Sequence, residues 1–328
     1  MRKAIIIFIL FFWLVVISGF SSNEIESVLS VENSKNIVLL EKLEGHEGKL
    51  WCVTFSAGGL LATSGKDGKA IVWKPCDKPG SFFEKVFETE TRKLVKAVDF
   101  IGENTLITLN DDNLIRYWDL ETGELINEER GEYGHIGHIL VSEDDRLLAV
   151  ESKGRIDVSD LESGEKLYHI REPEGTCFEY RFTSDNKKMI TSSHEGSVAL
   201  WNLESGEKMR EFTGHQWDVH AIDIGPDDRY IVTGSTDYKV KLWDLETGKC
   251  IHTMSHYDGL YDVAFSPDGT LIASVGCDSI IMLWDTEPGR RLKLLQHDDE
   301  IHAVDFSPDG RYIIAGGYDS DIYIWGLD

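Results

Sequence analysis

Histidine, aspartate and hydroxyl side chains recur through this chain at matched offsets, and together they are the groups that bind metals or move protons. Asp67, Asp112, Asp237, Asp278 and Asp319 each stand six residues before a tryptophan, and Thr63, Thr108, Thr191, Thr233 and Ser274 each stand ten before one. His46, His215, His256 and His297 each stand nine residues before an apolar residue that closes a short alternating run. Imidazole and carboxylate in one constellation would point to a metal centre or to acid–base chemistry. A metal centre, however, gathers its ligands at one place, and these groups are dispersed as one set per repeat. The chain has no Gly-rich phosphate loop, no His-Glu-x-x-His and no Gly-x-Ser-x-Gly. Pairs of carboxylates abound, but an acidic chain supplies them by chance.

The elements that must position these groups are clearest in residues 214–249, GHQWDVHAIDIGPDDRYIVTGSTDYKVKLWDLETGK. Alternating apolar residues are split there by Gly225-Pro226-Asp227-Asp228, by Thr236-Asp237-Tyr238 and by the Gly of LETG, which predicts three short strands with a fourth to follow. Trp73, Trp118, Trp201, Trp243, Trp284 and Trp325 each follow such a run, at spacings of 45, 83, 42, 41 and 41. The longest interval holds two periods, with Ser159 at the tryptophan position of the extra copy. Seven copies of about 41 residues fit four-stranded propeller blades, because one such sheet cannot bury both of its faces alone.

The Gly-His openings at 45–46 and 214–215, the Ser-Pro-Asp-Gly turns at 266–269 and 307–310, and the Trp-Asp closings at 118–119, 243–244 and 284–285 resemble WD-repeat β-propellers. The resemblance covers residues 37–328 and implies an all-β, seven-bladed β-propeller of four-stranded antiparallel blades. It also implies a structural role for the recurring polar residues, as a buried tetrad in which carboxylate, imidazole, hydroxyl and indole N–H satisfy one another. Full sets are His46, Thr63, Asp67, Trp73; His215, Thr233, Asp237, Trp243; and His256, Ser274, Asp278, Trp284. The seventh copy has Ala315 for the hydroxyl. The second has Thr91 for His, and the fourth has Pro173 for His and Glu195 for Asp. The third, with Glu132, Ala149, Lys153 and Ser159, loses every member and is expected to be the least rigid blade.

Blades are expected at 50–87, 95–127, 136–170, 177–212, 219–254, 260–295 and 301–325, with a long proline-bearing turn at 74–81 in the first. Gly123, Gly164, Gly206, Gly248 and Gly289 recur five residues after the tryptophan position, where a hairpin should need φ > 0. The seventh copy lacks its fourth strand, whereas residues 37–43 form one strand too many before the first. Pairing 37–43 with 321–325 would close the ring and remove an exposed sheet edge.

Arg2 and Lys3 precede fourteen apolar residues without a charge, 4–17, and then Ser18-Gly19-Phe20-Ser21-Ser22. This is the order of a secretory signal peptide, with cleavage expected after Ser21. Fourteen residues rise only about 21 Å as a helix, and extension to Phe20 would make residues 1–21 an uncleaved membrane anchor. Residues 22–36 read as a polar linker. Five cysteines, Cys52, Cys76, Cys177, Cys250 and Cys277, have no metal-ligand spacing; Cys52, Cys177 and Cys250 fall in expected strands as core fillers, and an exported compartment permits a bridge.

With 58 acidic and 33 basic residues, the net charge of −25 repels phosphate backbones and anionic lipid, which sets nucleic-acid binding aside. The resemblance implies partner binding on the rim that bears the loops before the first strand and between the second and third. Trp51, Lys96, Phe178, His220, Tyr261 and His302 fall five residues after the histidine positions, and His194, Cys277 and Tyr318 fall just before the aspartate positions. Aromatic side chains bring contact area at low entropic cost. The expectation is a non-catalytic, monomeric interaction platform outside the cytoplasm, without cofactor or metal, that binds a protein or peptide on this rim. Histidines there could make binding vary between pH 5 and 7. The alternative is a propeller enzyme, or a small-ligand or metal-binding protein, that uses the central channel; channel-facing acids from several blades would favour it.

Overall fold

The computed structural model describes residues 28–91, 93–130, 137–172 and 177–327. Seven antiparallel four-stranded sheets surround one axis. Blade 1 spans 50–90, blade 2 95–130, blade 3 139–171, blade 4 177–212, blade 5 219–255 and blade 6 260–296; blade 7 joins 301–327 to Ile37–Leu43. In blades 1 to 6 the strands run in chain order from the axis outward, and in blade 7 the outermost place is taken by Ile37–Leu43. The first strands of neighbouring blades lie beside one another around a central channel.

Burial follows position in the blade. The second strands lie between two neighbouring sheets, so Leu61–Gly65 and Leu271–Gly276 are buried at every residue. The outermost strand Leu125–Arg130 is exposed at every residue. The apolar core is therefore a ring of interfaces between blades. One of them joins Leu43, Leu50, Ile71 and Trp73 to Ile314, Ile322 and Ile324, which are far apart in sequence.

Closure occurs as expected. Ile37–Leu43 pairs antiparallel with Ile322–Leu327, from Ile37 opposite Leu327 to Leu43 opposite Ile322, with one bulge between Leu39 and Glu41. The described part of the stretch read as a linker, 28–36, lies on the last blades. Leu29 is buried in the core between blades 6 and 7, and its N–H donates to the Gly310 carbonyl at 2.8 Å. Residues 1–27, which include the expected signal or anchor, lie outside the described residues.

Blade 1 differs from expectation at its proline-bearing segment. Residues 74–81 form two extended strands, Lys69–Lys78 and Ser81–Glu90, joined by a tight hairpin with Lys78 opposite Ser81. The prolines do not break the third strand because the second begins at Leu61, opposite Trp73. Beyond Trp73 no inner neighbour needs the N–H that Pro75 lacks. The hairpin glycines 123, 164, 206, 248 and 289 take φ between 60° and 77°, the left-handed region in which a Cβ is strained.

Candidate functional site

The recurring polar residues form closed hydrogen-bond chains in three blades. In blade 5 the indole Nε1–H of Trp243 donates to Thr233 Oγ1 at 2.9 Å, and that hydroxyl lies 2.7 Å from His215 Nε2. His215 Nδ1 lies 3.0 Å from Asp237 Oδ2, which also accepts the Gln216 N–H. With the proton on Nδ1, the indole donates to the hydroxyl, the hydroxyl donates to Nε2 and the imidazole donates to the carboxylate, so no polar group of this hydrogen-bond chain is left unpaired. Blade 1 repeats this through Trp73, Thr63, His46 and Asp67, and blade 6 through Trp284, Ser274, His256 and Asp278. Burial would raise the Asp67 and Asp237 carboxyls, but bonds from His46 or His215 and from backbone N–H groups outweigh it and hold both below the ordinary aspartate value.

The incomplete blades solve the same problem with other residues. In blade 2, Trp118 still donates to Thr108 at 3.1 Å, while Asn110 bonds Thr91 at 2.8 Å and Arg116 bonds Asn110 and Asp112. In blade 4, Trp201 donates to Thr191 at 2.9 Å, and Thr191 donates to the buried carboxylate of Glu172. Pro173 and Glu132 lie outside the described residues. Blade 3 has no tetrad. Its buried Glu151 accepts the Gly154 N–H at 2.7 Å, and Tyr180 of blade 4 donates to the carbonyls of His138 and Ala149. In blade 7, His297 Nδ1 lies 3.8 Å from Asp319, and His297 Nε2 and Trp325 Nε1 have no partner.

The axial channel encloses about 820 Å³. Asp99, Glu179, Asp223, Asp262 and Asp305 line it, together with the arginine Arg181. Each acid bridges its own blade to the next through a backbone N–H: Asp99 to Val141 (2.7 Å), Glu179 to Ile222 (2.8 Å), Asp223 to Phe265 (2.8 Å), Asp262 to Val304 (2.9 Å) and Asp305 to Phe55 (3.3 Å). Arg181 lies 2.7 Å from Glu179 and 3.7 Å from Asp223. Burial pushes Asp99 up to about 6 and Asp305 up to about 7 against these bonds. Among the described residues, no three His, Cys, Asp or Glu side chains are grouped to hold a metal ion.

At the rim, the candidate residues gather into two clusters. His302 lies 5.5 Å from Trp51 and 5.0 Å from Tyr318 between ring centroids, and it stacks on Tyr261 at 4.2 Å. Phe178 sits between His194 at 4.6 Å and His220 at 4.3 Å. Lys96 stands apart, 3.2 Å from Asp111. The strongly exposed aromatic residues among those described are Trp51, Trp217, Tyr238, Tyr257 and Tyr318. All five lie in loops or strand ends on this one rim, which bears the loops that enter each blade and join its second and third strands.

The family profile of the WD domain, G-beta repeat, matches residues 37–74, 206–244, 248–285 and 289–326. The chain is a WD-repeat β-propeller. The matches fall on the blades with a histidine at the tetrad position, and 75–205, without a match, covers the blades that replace it. Mouse telomerase protein component 1 is 25% identical over 120 residues, 36% of this chain and 4% of that protein. The protein transport protein SEC13 of Debaryomyces hansenii is 40% identical over 57 residues, 16% of this chain and 19% of that protein. The chain thus aligns with a fifth or less of the length of either relative.

Some expectations for this WD-repeat propeller need correction. Burial, with Lys49 beside it, lowers the His302 imidazole to about 3, so His302 stays neutral between pH 5 and 7 and cannot give binding a pH dependence there. Cys250 is exposed on an outermost strand and fills no core; all five cysteines are free thiols. Trp217, Tyr238, Tyr257, Glu172 and the channel acids were not singled out from sequence. The acids carried a signal: aspartate at the fifth position of the first strand in blades 2, 5 and 7, where an apolar–polar alternation alone asks only for a polar residue.

Proposed function

We propose that the protein is a non-catalytic platform that holds a protein or peptide on its aromatic rim, outside the cytoplasm. The observation that carries this reading is the placement of all five strongly exposed aromatic residues on that one rim. Exposed aromatics concentrated on one face favour association, because each brings a large apolar area with few rotatable bonds. The relatives' printed names, a transport protein and a protein component of telomerase, agree with a part in an assembly. Export rests on the charged, apolar and small-residue order of residues 2–22.

Acids from several blades do line the channel, as the alternative of a channel ligand requires. Their oxygens are nevertheless taken up by backbone N–H groups that join blade to blade, which favours the rim.

Affinity capture from the extracytoplasmic fraction, with wild type against Trp51→Ala/Tyr261→Ala, tests the reading. The expected result is a partner retained by wild type and lost from the double variant, with melting nearly unchanged. Equal retention by both proteins would overturn it. Recovery of intact protein only from the cytoplasm would overturn the location.

A further inference from the structure

Lys49 holds its ammonium over two aromatic rings at once. Its Nζ lies 4.2 Å from the ring centroid of Trp51 and 3.9 Å from that of Tyr318. Both rings remain open to solvent, at 39% and 46% exposure. Among the described residues no carboxylate pairs with this ammonium, in a chain with 58 acidic side chains. Its lodging is therefore the ring faces, whose negative quadrupoles attract a cation. A lysine side chain regains rotamer freedom when it swings into water, so what holds this occupant is its one or two cation–ring contacts, which a stronger arrival must replace. His302, between the two rings and Tyr261, stays neutral and adds no competing charge.

We propose that the position between Trp51 and Tyr318 is a cation seat, and that Lys49 fills it as an internal stand-in until a lysine or arginine side chain of a basic peptide displaces it. This deepens, and rests on, the rim reading. A net charge of −25 draws a basic partner toward the propeller and repels an acidic one. Glu300, whose carboxylate lies 3.5 Å from the Tyr261 hydroxyl, supplies an anion at the edge of the same cluster. Lys49 then acts as a specificity element: it screens out weak cations and yields to a side chain that arrives with further contacts.

Fluorescence anisotropy with labelled hexalysine, hexa-arginine and hexaglutamate tests the seat. Lys49→Gln vacates it without a bulky change and should tighten the basic peptides about threefold to tenfold, the range set by one or two cation–ring contacts. Trp51→Ala should weaken them by a similar factor, and hexaglutamate should not bind. Lys66→Gln removes the same charge from an exposed position on the same rim and should change affinity less than Lys49→Gln does. Equal effects of the two lysine variants, or no tightening in Lys49→Gln, would overturn the seat. A partner that Trp51→Ala/Tyr261→Ala fails to release, together with tightening in Lys49→Gln, would sink the rim reading and leave the seat standing. A captured partner whose binding is lost in the double variant but indifferent to Lys49→Gln would do the reverse.

Discussion

The indole nitrogen of Trp325 has no hydrogen-bond partner because Ala315 stands where the other tetrads carry a hydroxyl. Ala315 occupies the register that Thr233 occupies in blade 5. His297 Nε2, which would meet the same hydroxyl, is also unpartnered. The imidazole turns instead to the Asp299 carbonyl at 3.0 Å, and Asp319 accepts from Tyr323 at 2.6 Å.

Ala315→Ser should therefore stabilise the protein. One hydroxyl serves two buried groups, and the gain should be about 1 kcal/mol after the cost of fitting one oxygen into a buried site. The urea midpoint reads it; a lower midpoint would show that the blade has no room for the oxygen.

The complementary loss is Thr233→Val. It strands Trp243 Nε1 and His215 Nε2, both buried, and should cost about 3 kcal/mol. Thr108→Val should cost only about 1 kcal/mol, because Trp118 is partly exposed and can find water. Equal costs in urea titrations would mean that the hydroxyls act through packing alone.

Stability against pH holds two opposed contributions. Asp305, raised to about 7, keeps a proton in the folded state that the unfolded state releases near pH 4, so its contribution falls as pH rises from 4 to 7. His302, lowered to about 3, stays neutral while the unfolded state gains a proton near 6.5, so its contribution falls as pH drops from 6.5 to 3. Relative to wild type, Asp305→Asn should become more stable as pH rises from 5 to 7.5. His302→Asn should become more stable as pH drops over the same range. Each difference has a limiting slope of about 1.4 kcal/mol per pH unit, and parallel pH curves for variant and wild type would refute either assignment.

Arg181 answers several channel acids. Arg181→Met should cost about 3 kcal/mol at pH 7.5, because Glu179 and Asp223 lose their counter-charge. The cost should shrink as the pH falls, because burial raises both carboxyls and their protonation removes the charge that the guanidinium answers. A cost independent of pH would mean that the guanidinium matters for its packing.

Hydrogen exchange should rank the blades. Residues 139–171, without a tetrad and with a first strand of three residues, should exchange faster than 219–255. Slower exchange in blade 3 would show that Glu151 and Tyr180 fully replace the missing network.

The repeat count, the blade order and the closure were legible because tryptophan spacing and strand alternation are local, and seven copies reinforce one another. Pairing of 37–43 followed from counting strands. The channel was not legible in this way: Asp99 meets Val141, and Asp223 meets Phe265, each across a blade boundary that no single repeat contains. Glu172 escaped notice because alignment placed Pro173 at the histidine position and passed over its neighbour. Trp217 and Tyr257 were not legible because they lie two and one residues past the histidine position, at offsets that do not recur as aromatic from blade to blade. The long turn expected at 74–81 failed because proline breaks a strand only where a neighbour asks for its N–H.

Ile37–Leu43 is synthesised first among the described strands and Ile322–Leu327 last, yet they are hydrogen-bonded partners. The ribosome must therefore deliver every other blade before the ring can lock, and until then blade 7 lacks its outermost edge. Chaperone demand and protease sensitivity should stay high until Ile322–Leu327 has left the ribosome and sealed the seam on which the whole circle depends.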